Sequence, residues 1–146
     1  MTAQSDTTTY TPTEIMTIAA ARALRNDDVC FVGIGAPSAA CNLARLTHAP
    51  GITLIYESGT IDTKPDVLPL SIGDGELCDT TLTTVSVPEM FRYWLQGGRI
   101  TVGFLGGAQI DRFANDVGET PPPTGAELGV LRDLQARTDR AHGDEA

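Results

Sequence analysis

Apolar residues recur along this chain in two rhythms, helical spacing in some stretches and short unbroken runs in others. Thr11-Pro12-Thr13-Glu14 has the form of a capping box with proline at the first helical position. Ile15, Ile18 and Ala19 follow at helical spacing with Ala23 on a neighbouring arc, which predicts a helix to about Arg25. Asn26-Asp27-Asp28 then breaks it. VCFVGI, residues 29–34, is a continuous apolar run suited to a strand buried on both faces. Gly33 and Gly35 form a turn, Pro37 can open a helix, and Ala39, Ala40, Leu43, Ala44 and Leu46 continue it. Pro50-Gly51 ends that unit, and ITLIY (52–56) reads as a second buried strand. Helix, strand, helix, strand is the order of a parallel α/β sheet.

The rhythm is then lost. Residues 58–79 are rich in Gly, Pro and Asp, a long loop expected to lie over the sheet and to carry function. Residues 80–85 are β-like. Ser86-Val87-Pro88-Glu89 is a second capping box, opening the aromatic helix EMFRYWLQ, which Gly97-Gly98 stops. RITVGFL (99–105) predicts a further strand. The first ten residues are polar, threonine-rich and expected to fray. No internal repeat is evident.

Composition narrows the function classes. At 146 residues the chain has the length of one domain, and its formal charge is −9. One lysine and nine arginines, scattered rather than clustered, argue against a nucleic-acid surface. No apolar run approaches the roughly 20 residues of a membrane helix, and the N-terminus has no signal-peptide pattern. Cys30, Cys41 and Cys78 lack CxxC spacing, which predicts reduced thiols in a cytoplasmic protein. His48 and His142 belong to no plausible ligand set, so no metal site is expected.

Four groups could carry chemistry. Gly33-x-Gly35 after a strand invites a dinucleotide reading, but the third glycine of that motif is missing; a tight strand-to-helix turn is the plainer alternative. Either way the turn can offer backbone N–H groups to an anion. Asp74, Glu76 and Asp79 form an acidic cluster without EF-hand spacing, open to metal ligation or to simple Asx-turn hydrogen bonding. Phe91, Tyr93 and Trp94 make an aromatic stripe that reads as core or interface rather than a stacking platform. Glu57 stands in IYESGT where a buried strand runs into a turn. It is either a solvated strand-end residue or the group on which chemistry is done, because ligands of open α/β sheets gather at the carboxyl ends of the strands. Gly59 permits the sharp turn that leaves the carboxylate projecting beside Ser58.

Taken together, VGIGAPSAACNLARLTHAPGITLIYESGTI, LPLSIGDGELCD and VSVPEMFRYWLQGGRITVGFLGGAQIDRFAN resemble the B subunit of two-subunit CoA-transferases, the glutaconate CoA-transferase type most of all. The resemblance covers roughly residues 11–115, and its most specific pieces are YESG (56–59) and GGAQIDRFAN (106–115). It implies an open, mainly parallel α/β sheet with flanking helices of the NagB/RpiA kind. It implies Glu57 as the catalytic nucleophile, carrying CoA as a glutamyl thioester. Gly33, Gly35, Ser58, Gly59, Gly106, Gly107 and Gln109 would line the CoA and acyl cleft. It further implies an A-type partner subunit, acyl-CoA and carboxylic or dicarboxylic acid substrates, and no permanently bound cofactor.

The match has limits. Ala114 precedes Asn115 where the family usually has glycine and asparagine, and beyond Asn115 the family's GxGG segment does not follow. Residues 116–146 read instead as a proline-containing linker with one weak helix carrying Leu128, Leu131 and Leu134, so the domain is expected to be C-terminally incomplete. The expected division is a polar segment 1–10, a CoA-transferase-like domain 11–115 and a divergent tail 116–146. Two other functions remain open at this point: an acyl-CoA hydrolase subunit on the same scaffold, and a non-catalytic chain that only binds a partner.

Overall fold

Thr11 caps the first helix as its sequence requires. Its hydroxyl accepts the Glu14 N–H at 3.2 Å while the Glu14 carboxylate accepts the Thr11 N–H at 2.8 Å. The computed structural model describes residues 10–107 and 127–132. In chain order its elements are α1 (Pro12–Ala23), β1 (Val29–Val32), α2 (Ala36–Thr47), β2 (Thr53–Tyr56), β3 (Thr60–Ile61), α3 (Gly75–Asp79), β4 (Thr83–Thr84), α4 (Val87–Glu89), a π-helical stretch Met90–Leu95, β5 (Val102–Gly107) and β6 (Glu127–Arg132).

The strands form one six-stranded sheet in the order β4-β3-β2-β1-β5-β6. β1 runs parallel to both β2 and β5, as helical crossovers demand. The other three pairings are antiparallel, so the sheet is mixed rather than mainly parallel. The reason is local: the tight turn after Tyr56 sends β3 straight back along β2, and no crossover intervenes. Parallel strands therefore occupy the centre and antiparallel ones both flanks.

Residues 127–132 also depart from expectation. They form β6, not part of a helix, and pair with β5 over all six positions from Val102↔Arg132 to Gly107↔Glu127. The outer edge of β5 needs backbone partners, and Gly129 weakens the helical alternative by about 1 kcal/mol. Leu134 lies outside the described residues.

The sheet is covered unequally. On one face α1 and α2 close over Cys30, Val32, Leu54, Tyr56, Val102 and Phe104, contributing Ala20, Ala21, Ala40, Cys41 and Ala44. Small residues let the two helices lie close to the sheet. Ile15 and Ile18, which the helical spacing marks as apolar, are 56% and 38% exposed; α1 buries Ala20 and Ala21 instead. The opposite face rests on Ile55, Ile61, Met90 and Ile100, with Phe31, Trp94 and Leu95 packed around them. The predicted aromatic helix supplies that cover. Ser86 forms the expected capping box with Glu89, but after one turn the helix widens, with Gln96 N–H donating to the Phe91 carbonyl at 2.9 Å. The wider turn sets Phe91 edge-on to Phe31, ring centroids 6.1 Å apart, and the Arg99 guanidinium 5.7 Å over the Trp94 ring.

Candidate active site

Parallel pairing of β5, β1 and β2 gathers their carboxyl ends along one rim of the sheet. Val32 pairs with Tyr56, so Gly33 and Glu57 are the next residues on adjacent strands. Backbones there are about 5 Å apart. Gly106 and Gly107 close β5 beyond the same rim, where they pair with Leu128 and Glu127. The sequence-predicted residues Gly33, Gly35, Glu57, Ser58, Gly59, Gly106 and Gly107 thus share this rim. Gln109 lies outside the described residues.

The Glu57 turn is built by its neighbours. Gly59 N–H donates to the Tyr56 carbonyl at 2.9 Å, closing a β-turn with Glu57 and Ser58 at its tip. Val85 N–H donates to the Gly59 carbonyl at 2.9 Å, pinning the turn to the chain after β4. Gly59 has φ +101°, and a Cβ there would collide with the Val85 carbonyl oxygen, so only glycine fits. Glu57 is exposed, and among the described residues its carboxylate has no hydrogen-bond or ion-pair partner. Ser58 Oγ and Thr60 Oγ1 are buried without a hydrogen-bond partner among the described residues.

Across the rim, Gly35 starts α2 at φ +83°, ψ −129°, with no side chain capping the helix. The first-turn N–H groups, together with the helix dipole, make this end favourable to negative charge. With the third glycine of the dinucleotide motif missing, Gly33–Gly35 form a strand-to-helix turn between β1 and α2.

The long loop is more ordered than its composition implies, and the acidic cluster explains why. Glu76 Oε1 accepts the Asp66 N–H at 2.8 Å, Asp74 Oδ2 accepts the Leu70 N–H at 3.0 Å, and Asp74 also caps α3 through Glu76 N–H. Asp74 and Glu76 hold backbone, and among the described residues no group of three or more His, Cys, Asp or Glu side chains is placed to hold a metal ion. Arg45 Nη2 donates to the Pro65 carbonyl at 2.8 Å from the other side. So held, the loop presents Val67, Leu68 and Leu70 to solvent, Leu70 at 90% exposure.

Sequence reasoning overlooked the polar residues behind the rim. Tyr56 OH and Ser38 Oγ lie 2.8 Å apart, Asn42 Nδ2 donates to the Ser38 carbonyl at 3.0 Å, and Arg45 Nη2 donates to Asn42 Oδ1 at 3.0 Å. Ser38, Asn42 and Arg45 fall at i, i+4 and i+7 of an alanine-rich helix, and that polar stripe was the available signal. Burial pushes the Tyr56 hydroxyl pKa up, against a smaller lowering from Ser38.

An open α/β sheet with an exposed carboxylate, unpaired among the described residues, on a glycine-hinged turn at the strand ends, beside an uncapped helix N-terminus, has the architecture of α/β proteins that bind ligands at the carboxyl rim. The family profile described as coenzyme A transferase matches residues 13–118, and the chain belongs to that family. The B subunit of 3-oxoadipate CoA-transferase from Pseudomonas knackmussii is 68% identical over 106 residues, 73% of this chain and 41% of that protein. The B subunit of glutaconate CoA-transferase from Acidaminococcus fermentans is 33% identical over 116 residues, 76% of this chain and 43% of that protein. This chain therefore spans less than half the length of either relative. The crystal structure of the Acidaminococcus fermentans glutaconate enzyme superposes with a TM-score of 0.67 at 27% identity, covering 82% of this chain and 49% of that one. The decarboxylase AibA/AibB gives a TM-score of 0.59 at 30% identity, covering 69% of this chain and 42% of that one. Among the described residues no helix is long and apolar enough to cross a membrane.

Proposed function

We propose that this chain acts as the B-type subunit of a two-subunit CoA-transferase, moving CoA between an acyl-CoA and a dicarboxylic acid of the 3-oxoadipate kind. The observation that carries the reading is Glu57: exposed, unpaired among the described residues, and fixed on a glycine-hinged turn at the carboxyl rim. The 68% identity to a 3-oxoadipate enzyme's B subunit supports the substrate class, and the relatives' naming as subunits supports an A-type partner that completes the site. Three cysteines without CxxC spacing support a reducing cytoplasmic location.

The chemistry suits a carboxylate. A carboxylate oxygen already carries the electron pair and the negative charge that attack a carbonyl, so no partner base has to activate it. One Glu57 oxygen attacks the thioester carbonyl, and collapse of the tetrahedral adduct expels CoA thiolate and leaves a mixed anhydride. The thiolate attacks the glutamyl carbonyl, releasing the first acid and forming glutamyl-CoA. The second acid's carboxylate attacks that thioester and expels CoA thiolate again. The thiolate then attacks the new acyl carbonyl, freeing the product acyl-CoA and restoring Glu57. Each adduct carries an oxyanion, for which N–H groups of the Gly33–Gly35 turn and the α2 terminus are candidates on the same rim. Ser58 and Gly59, with Gly106 and Gly107, would border the acyl and pantetheine path. A carboxylate is a modest nucleophile, so binding energy from the distant parts of CoA must help offset the barrier.

Co-expression with an A-type subunit, exposure to acyl-CoA and peptide mass spectrometry tests this. CoA mass should appear on the Glu57 peptide and be removed by hydroxylamine. Exchange activity that persists undiminished in Glu57→Ala would overturn the proposal, and release of free acid without a new acyl-CoA would identify a hydrolase instead.

A further inference from the structure

Tyr56, the residue before Glu57, ends β2 with its side chain fully buried in an apolar cluster of alanines, leucines and the two inner cysteines. Its hydroxyl meets Ser38 Oγ at 2.8 Å, and Ser38, also buried, lies in the first turn of α2 just after Gly35. Phenylalanine would supply the same apolar area without a polar group to satisfy. What the hydroxyl adds is direction. It ties the strand that delivers Glu57 to the helix that begins at the glycine turn, across the rim where both must face one substrate carbonyl.

We propose that the Tyr56–Ser38 hydrogen bond is a positioning latch, fixing the Glu57 turn against the first turn of α2 so that nucleophile and oxyanion donors keep one spacing. The reaction it serves rests on the CoA-transfer reading above; the latch itself rests on the geometry. Asn42 and Arg45 extend it, since Asn42 holds the Ser38 carbonyl and Arg45 joins Asn42 to Pro65 of the long loop. Neither Tyr56 nor Ser38 has a surface from which to touch substrate, so both act through Glu57. Displacement of a nucleophile by about 1 Å can cost on the order of a hundredfold in rate. Burial keeps the Tyr56 hydroxyl protonated, so the latch does not open with pH in the neutral range.

The test uses Tyr56→Phe and Ser38→Ala, singly and together, in the full chain purified with its A-type partner. Each single change should lower kcat about tenfold while KM for acyl-CoA stays within about twofold. The double variant should lose no more than one single variant, because both remove the same bond. In the free chain, exchange of the Gly59 amide, which donates to the Tyr56 carbonyl, should quicken, while Leu54 and Ile55 inside β2 stay protected. If Tyr56→Phe does not fold, Ser38→Ala removes only a hydroxyl and carries the same two readouts. Unchanged kcat, a loss confined to KM, or additive losses in the double variant would overturn the latch. A wild-type complex that loads no CoA on Glu57 would overturn the transfer reading instead, and Gly59 exchange alone would then decide the latch.

Discussion

Thr101 Oγ1 donates to the buried Asp28 Oδ1 at 2.9 Å across 73 residues of sequence, and accepts the Val29 N–H at 3.0 Å. With Thr101 N–H bonded to the Val29 carbonyl at 2.9 Å, this pair sets where β5 enters the sheet beside β1. Asp28 Oδ2 also accepts the Arg25 N–H at 2.7 Å, so one carboxylate joins the end of α1 to two strands. Thr101→Val keeps the shape and removes the hydroxyl, leaving the Val29 N–H without that partner. The expected loss is about 2 kcal/mol of unfolding free energy, read by urea denaturation; a loss under about 0.5 kcal/mol would assign the bond no structural weight.

Gly59 and Gly35 both hold positive φ, yet their substitutions should differ. Alanine at Gly59 meets the Val85 carbonyl oxygen as well as the backbone penalty, whereas nothing lies within 4 Å of a Cβ at Gly35. Gly59→Ala should cost about 3 kcal/mol or more and Gly35→Ala about 1–2 kcal/mol. Equal midpoint shifts in thermal unfolding would contradict the reading of the Glu57 turn.

Three exposed carboxylates make a small part of the stability depend on acid pH. The backbone N–H groups of Leu70 and Glu76 hold the Asp74 pKa below its ordinary value; the Ser86 hydroxyl and N–H do so for Glu89, and the Thr11 N–H and hydroxyl for Glu14. A folded-state pKa that is lowered contributes stability above the unfolded value, lost as pH falls through the folded one. Stability from these sites should therefore be flat from neutrality to about pH 5 and decline below about pH 4. Hydrogen exchange of residues 66–72, corrected for intrinsic rate, should show the loop loosening in that acid window; greater protection at pH 3 than at pH 7 would reverse the sign.

The three thiols should separate cleanly under alkylation. Cys78 is exposed, while Cys30 and Cys41 are fully buried. The contact with Cys41, reinforced by burial, pushes the Cys30 pKa far above the ordinary thiol range, which suppresses the reactive thiolate. Iodoacetamide on the native chain should label Cys78 alone, and Cys30 and Cys41 only on unfolding. Native labelling of Cys30 at a rate like that of Cys78 would show that the helical face opens readily.

Local rules make part of this structure legible in the sequence. Both capping boxes, at Thr11 and Ser86, are readable because the bonds they encode span three residues. The Glu57 turn is readable because Gly59 permits it. Residues 80–85 read as β-like and contain β4, whereas β3 is two residues long, too short for a period, and owes its existence to pairing with β2 and β4. β6 reads as helical because Leu128, Leu131 and Leu134 fit that spacing, and spacing carries no information about the open edge of β5. The rim itself can be inferred from strand order, while the Ser38–Tyr56 bond needs the three-dimensional approach of α2 to β2.

Six consecutive backbone pairs join β6 to β5, yet the family profile ends at residue 118, before β6 begins. Main-chain hydrogen bonds do not distinguish one side chain from another. Docking at the outer margin of the sheet therefore asks for a free backbone edge and sufficient length rather than for a particular order of side chains. The turn bearing Glu57 stands two strands away from that margin, with β1 and β5 between, so the pairing of β6 does not bear on it directly.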